Sequence, residues 1–139
     1  MIPYWPTTGL TTVRMPLSFT AFCAHRQSLY LRYISVRVGG AVHARPLVQA
    51  ALGDLAMSWP QALRSPSPAA ASWRLLTARA AGAAGHVPRA PYDILGEQHA
   101  DVLVLRYRLG LPAHVAAELM GIDEPVLAGR LQAALRAFR

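Results

Sequence analysis

The segment from residue 95 to residue 139 carries the spacing of glycine, proline and apolar residues that most restricts how this chain can fold. Pro112 suits the first turn of a helix, where its missing N–H is not needed. Gly121 suits the left-handed end of that helix, and Asp123 with Pro125 suits the cap and first turn of the next one. The spacing predicts a helix, a short helix, a tight turn and a third helix, which is the layout of a helix-turn-helix.

Apolar residues recur at helical spacing on both sides of this turn. Before the turn, the small Ala117 would let two helices cross closely, and Ile122 would fill the turn itself. The apolar face of that helix consists of Ala116, Leu119 and Met120. The stripe predicted to be buried on the last helix consists of Leu127, Leu131, Leu135 and Phe138. In such motifs the last helix can enter the DNA major groove. A three-helix packing unit without DNA contact has the same pattern and remains an alternative.

Several runs in this segment match a known family: residues 103–107 (LVLRY), 109–112 (LGLP), 116–122 (AAELMGI), and Arg130-Leu131 with Leu135-Arg136. They resemble region four of the extracytoplasmic-function sigma factors of bacterial RNA polymerase, which in that family binds the promoter −35 element. A weaker resemblance is to the family's region two, which melts the −10 element and docks on the core polymerase clamp. It is carried by residues 30–33 (YLRY), Val48-Gln49, Trp59, Pro66, Pro68 and 73–76 (WRLL).

The resemblance implies an all-α protein with two lobes. A region-two-like helical lobe would span residues 17–81, a linker residues 82–91, and a region-four-like helix-turn-helix lobe residues 92–139. Residues 1–16 would be a disordered tail or a mis-assigned start, with Met15 as a possible natural start. Helical periodicity in the first lobe predicts a helix capped by Ser18 that ends at Gly39-Gly40, another from about Pro46 toward Trp59, and a third from near Pro68. About six helices are expected in all.

The resemblance also implies which residues would contact DNA. In the recognition helix they are Val126, Ala128, Gly129, Arg130 and Ala133; in the N-terminal lobe they are Trp73, Arg74 and Arg79. Trp59 and Trp73 could stack on an unpaired −10 strand. A lone tryptophan on an apolar helical face is more often part of the core, which is the interpretation we favour.

Charge is distributed unevenly along the chain, whose net charge is +7. Residues 1–94 hold nine arginines and two aspartates, whereas residues 95–139 hold five arginines and five acidic residues. Because a basic surface attracts phosphate, most of any electrostatic affinity for nucleic acid is expected in the N-terminal half. A solvated basic face without a partner is the alternative.

The recognition helix departs from the family in its first positions, which are usually polar and basic. Here they are Pro125-Val126-Leu127-Ala128-Gly129, so that Arg130 is the first cation of the helix. The sequence therefore leads to a sigma-like protein that binds promoter DNA together with core RNA polymerase. One alternative is a degenerate sigma-like domain that acts through contact with another sigma subunit or a regulator. Another is a helical structural domain without a nucleic-acid role.

Enzymatic and metal chemistry find no support in the sequence, because its five histidines are scattered and no glycine-rich phosphate loop occurs. No cofactor or small-molecule substrate is therefore expected. Cys23 is the single cysteine, which excludes an intrachain disulfide and fits a reducing cytoplasm. We expect it to be a small buried apolar residue rather than a reactive thiol. No uncharged stretch of 18 apolar residues occurs, so no membrane span is expected.

Overall fold

The computed structural model describes residues 15–83 and 90–137, and within these ranges all regular structure is helical. The prediction of an all-α protein is thus confirmed. The helices are α1 (Leu17–Val38), α2 (Ala41–Met57), α3 (Trp59–Arg64), α4 (Pro68–Ala83), α5 (Glu97–Leu103), α6 (Ala113–Met120) and α7 (Glu124–Arg136). A π-helical segment, Val104–Arg108, continues α5. None of the described helices is long and apolar enough to cross a membrane.

The first two helices are joined by the predicted Gly39-Gly40 pair. Gly39 has a φ of 84°, and the N–H groups of both glycines donate to the carbonyl of Ser35. The starting points differ from the prediction. Pro16 rather than Ser18 is the N-cap of α1, and α2 already begins at Ala41. Pro46 therefore lies inside α2, just past its first turn, where proline removes one hydrogen bond of the helix.

The helix α3 was not predicted, because the second helix was expected to run toward Trp59 and the next to begin near Pro68. Pro60 occupies the first turn of α3, where its missing N–H has no cost. Trp59 and Ala62 on this short helix are buried. The next helix, α4, begins at Pro68 as predicted, and the hydroxyl of Ser67 accepts a 3.0 Å hydrogen bond from the N–H of Ala70.

Residues from both halves of the chain contribute to one hydrophobic core, in which Phe19, Tyr33 and Leu76 are packed together with Val102 and Leu105. In the described residues, α1 packs on α2, α2 on α4, and α5 on α7. Contacts of α4 with α6, and of α1 with the π-helical segment, join the two halves. The predicted linker 82–91 overlaps the last residues of α4, and residues 84–89 lie outside the described ranges, as do residues 1–14 of the predicted tail.

The buried stripe of α7 differs from the prediction at its C-terminal end. Leu127 is buried and Leu131 half-buried, as expected, but the next buried position is Ala134. Leu135 is 40% exposed, so the prediction for this residue is wrong. Phe138 lies outside the described residues.

Candidate nucleic-acid interface

The turn between α6 and α7 is formed by Gly121, the residue that the sequence predicted for it. Gly121 has a φ of 72°, and its N–H donates to the carbonyl of Glu118. Asp123 is the N-cap of α7, although its side chain makes no capping hydrogen bond. Pro112 is the N-cap of α6, one position before the first turn in which it was expected.

Gly121 also allows a close approach between the two halves of the chain. A Cβ atom at this position would overlap the backbone nitrogen of Ala70 and would lie 2.8 Å from the carbonyl carbon of Ala69. Both residues belong to the first turn of α4. Two constraints therefore require glycine here: its positive φ, and the packing of the turn against the backbone of α4.

The five recognition-helix residues that were predicted to contact DNA do not share one environment. Val126, Ala128 and Gly129 are exposed, whereas Arg130 and Ala133 are half-buried. Arg130 makes no hydrogen bond or ion pair with any described residue. The carboxylate of Glu118, on the preceding helix, lies beside Arg26 at 3.6 Å. The Arg130 guanidinium thus remains available to a ligand.

Two of the three N-terminal candidates have other partners. Trp73 is only 6% exposed, and its ring packs against Tyr33 and Tyr30 with centroid distances of 4.5 and 6.1 Å. It is a core residue here and does not present a face for base stacking. Trp59 is likewise buried, against Phe19.

The side chain of Arg79 binds both carboxylate oxygens of Asp54 at 2.8 Å, so its charge is already compensated. The third candidate, Arg74, is exposed on α4 and makes no hydrogen bond or ion pair with a described residue.

Arg74 and Arg130 line the same cleft, although they belong to different halves of the chain. The cleft lies between α4, α5 and the turn that precedes α7. Thr77 and Gln98 add polar groups to its walls, and its other lining residues are Ala70, Trp73, Glu97, Asp101, Met120 and Ile122. Two unpaired guanidinium groups at one cleft are suited to hold a phosphate or a guanine edge.

A buried polar cluster borders this cleft and was not predicted. Asp101 is 2% exposed, and its Oδ1 accepts hydrogen bonds from the hydroxyls of Tyr33 (2.5 Å) and Tyr92 (2.6 Å). Arg37 donates to Tyr33 Oη at 3.0 Å and to Glu97 Oε1 at 2.7 Å. Burial raises the pKa of Asp101 to about 6, despite the opposing effect of the two tyrosine hydroxyls and Arg37.

Neither a metal centre nor a reactive thiol is found among the described residues. No group of three or more histidine, cysteine or acidic side chains is arranged there to hold a metal ion. Cys23 is buried as expected, and this burial raises the pKa of its thiol to about 12. A thiol with such a pKa is a poor nucleophile near neutral pH.

No family model, curated protein or solved structure matches the chain.

Proposed function

We propose that this chain is a sigma-like DNA-binding protein of transcription, which acts with bacterial RNA polymerase. The observation that carries the proposal is the cleft beside the helix-turn-helix, where Arg74 of α4 and Arg130 of α7 are both unpaired. Both had been selected from the sequence as DNA contacts, for separate lobes. Their presence at one cleft supports a single binding surface that includes both halves of the chain.

The charged groups at this cleft favour the binding of phosphate. Arginine makes bidentate contacts with phosphate oxygens and with the O6 and N7 atoms of guanine. The two carboxylates at the cleft have partners of their own, since Glu97 is bound by Arg37 and Asp101 by two tyrosine hydroxyls. The two free arginines therefore dominate what an approaching polyanion would meet.

The exposed side of α7 has small residues that would let DNA come close to the helix. Ala128 and Gly129 are exposed and have little or no side chain, and no atom lies within 4 Å of a Cβ built at Gly129. A phosphate backbone or a groove wall could therefore come near the helix backbone there. Arg130 would supply the charged contact at the edge of the same helix.

A second candidate function is contact with another protein, such as another sigma subunit or a regulator. It is favoured by two apolar side chains on α7 that lack cover in the described structure, Val126 at 45% and Leu135 at 40% exposure. Exposed apolar groups on a helix are typical of protein interfaces when they form a patch, and weak evidence when single. Nine positions separate the two residues, which places them on opposite sides of α7, so each is a separate and weak indication of a protein partner.

The two functions are separated by measuring two affinities of the full chain. Fluorescence anisotropy with labelled promoter duplexes, at two salt concentrations, measures binding to DNA. A pull-down with purified core RNA polymerase measures binding to polymerase. The proposal expects both, with DNA affinity tighter than the roughly 10⁻⁴–10⁻⁶ M of non-specific binding and a decline of affinity with salt. Polymerase or sigma binding without DNA binding would favour the protein-contact function. Binding to neither would leave a helical structural domain.

A further inference from the structure

A second cleft lies between α1 and α6 and shares no residue with the one that contains Arg74 and Arg130. Its polar lining consists of His25 and Arg26 from α1 with His114 and Glu118 from α6. Leu29, Val115 and Leu119 form its apolar base. The cleft thus joins the N-terminal half of the chain to the helix-turn-helix.

Arg26 is the unusual residue of this cleft. Its side chain is 11% exposed, yet it makes no hydrogen bond with a described residue, and its Nε is buried without a partner. The guanidinium lies over the ring of Phe22, 3.9 Å from the centroid. The nearest carboxylate oxygen, Oε1 of Glu118, is 3.6 Å from Nη2, too far for a hydrogen bond.

Nε is the Arg26 nitrogen that is buried without a partner, and a mostly buried guanidinium is costly unless acceptors reach its N–H groups. Glu118 compensates the charge in part, but its side chain is 60% exposed and free to turn outward. His25 and His114 are exposed at the rim, where each ring can donate an N–H. One charged donor and two ring donors at the same cleft are suited to an oxyanion.

We propose that this cleft binds a small oxyanion, a phosphate or carboxylate group of a small molecule, with Arg26 as its charged donor. Glu118 turns toward solvent when the anion enters, and the two histidines contact the anion from the rim. The burial of Arg26 favours a free small anion over a nucleic-acid backbone, which reaches exposed cations more readily. Because the site joins α1 to α6, an anion there stabilises the packing of the two halves.

Isothermal titration of the full chain with inorganic phosphate, at ionic strength held constant with NaCl, tests the proposal. Wild-type protein is expected to bind phosphate with a Kd on the order of 1 mM or tighter. Arg26→Gln should weaken binding at least roughly tenfold, since it removes the charge that holds the anion. Glu118→Gln should tighten it by about three- to tenfold, since it removes the competing carboxylate. Arg45→Gln, on an exposed arginine of α2, is the matched control and should change nothing.

Three outcomes would overturn the proposal. The first is the absence of phosphate binding to the wild type. The second is a loss of binding in Arg45→Gln as large as that in Arg26→Gln, which would indicate general charge attraction. The third is displacement of phosphate by duplex DNA together with an equal loss of DNA affinity in Arg26→Gln, which would assign the cleft to the nucleic-acid backbone. If circular dichroism shows that Arg26→Gln does not fold, Glu118→Gln tests the proposal instead. Unchanged phosphate affinity in that variant would contradict competition between the Glu118 carboxylate and the anion.

Discussion

The hydroxyl of Tyr33 in α1 donates a 2.5 Å hydrogen bond to Oδ1 of Asp101 in α5, across 68 positions of sequence. Both side chains are buried, so the bond lies inside the protein where water does not compete. Tyr92 and Arg37 complete the same network, and Arg37 extends it to Glu97. This polar cluster therefore ties α1, in the N-terminal half, to α5.

The first prediction concerns the pH dependence of stability. Burial raises the pKa of Asp101 from 3.8 to about 6, and each unit of pKa corresponds to about 1.4 kcal/mol. The folded state therefore holds a proton that the unfolded state releases between these pH values. The contribution of Asp101 to stability is largest below about pH 4 and falls, by on the order of 3 kcal/mol, as the pH rises through 6.

Asp101→Asn should remove this dependence while its amide oxygen still accepts both tyrosine hydrogen bonds. Urea unfolding of the wild type and the variant at several pH values between 4 and 7 measures the effect. The free energy of unfolding of the variant relative to the wild type should increase with pH over this range. Asp93→Asn, at an exposed position, is the control. Parallel pH profiles for the wild type and Asp101→Asn would contradict the assignment.

The second prediction compares Gly121, in the turn between α6 and α7, with Gly129 inside α7. Gly121→Ala should destabilise the protein by several kcal/mol, because it combines a strained positive φ with a clash against the backbone of Ala70. Gly129→Ala meets no atom within 4 Å and lies within α7, so it should stabilise by up to about 1 kcal/mol. Thermal unfolding of both variants checks the pair. A loss of stability in Gly129→Ala would mean that the exposed side of α7 is packed against something.

The helix ends that glycine forms were predictable, because they depend on local chemistry. Gly39 and Gly121 both adopt the left-handed conformation that glycine accepts without strain, and Pro68 begins α4 as expected. Pro46 and Pro60 misled the prediction, since proline is compatible with the early part of a helix as well as with a break. Local sequence cannot distinguish these two uses when the packing of the next helix decides between them.

The register of α7 shows a different limit. Leu127, Leu131 and Leu135 are four positions apart, and each such step overshoots a full turn of the helix by about 40°. Two steps rotate Leu135 away from the core, while Ala134, seven positions after Leu127, returns to it. The helical angle therefore decides which residue is buried here, and it outweighs the larger apolar side chain of Leu135.

The contacts between the halves were not predictable in this way. Tyr33 and Asp101, or Arg26 and Glu118, carry no local spacing that relates one to the other. Their proximity follows from how α1 packs against the later helices, as does the presence of Arg74 and Arg130 at one cleft. Of the residues that the resemblance selected, Arg74 and Arg130 line this cleft unpaired, whereas Trp73 is part of the core and Arg79 is paired with Asp54.

The third prediction tests the register of α7 directly. Leu127 is 1% exposed, and Leu127→Ala should cost about 2–5 kcal/mol of stability because it leaves a cavity in the core. Leu135→Ala, at 40% exposure, should cost less than about 1 kcal/mol. The two variants delete the same atoms from the same helix, so chemical denaturation compares burial alone. Similar losses in both would place Leu135 in the core.

The last prediction concerns Arg74 and Arg130. Neither makes an ion pair with a described residue, so Arg74→Ala and Arg130→Ala should leave the free energy of unfolding nearly unchanged. If α7 reads DNA, each should weaken promoter binding by about 1–3 kcal/mol, and a variant that loses a phosphate contact should also lower the salt slope by about one unit. Because the two guanidinium groups line one cleft, they are expected to act on the same phosphate or base. The double variant should then lose less binding free energy than the sum of the two single losses.

Arg64→Ala, at an exposed arginine on α3 outside the cleft, controls for net charge. Additive losses would indicate separate contacts, and an equal loss in Arg64→Ala would indicate general attraction. Unchanged binding in the folded double variant would remove the cleft from the DNA interface and favour contact with another protein.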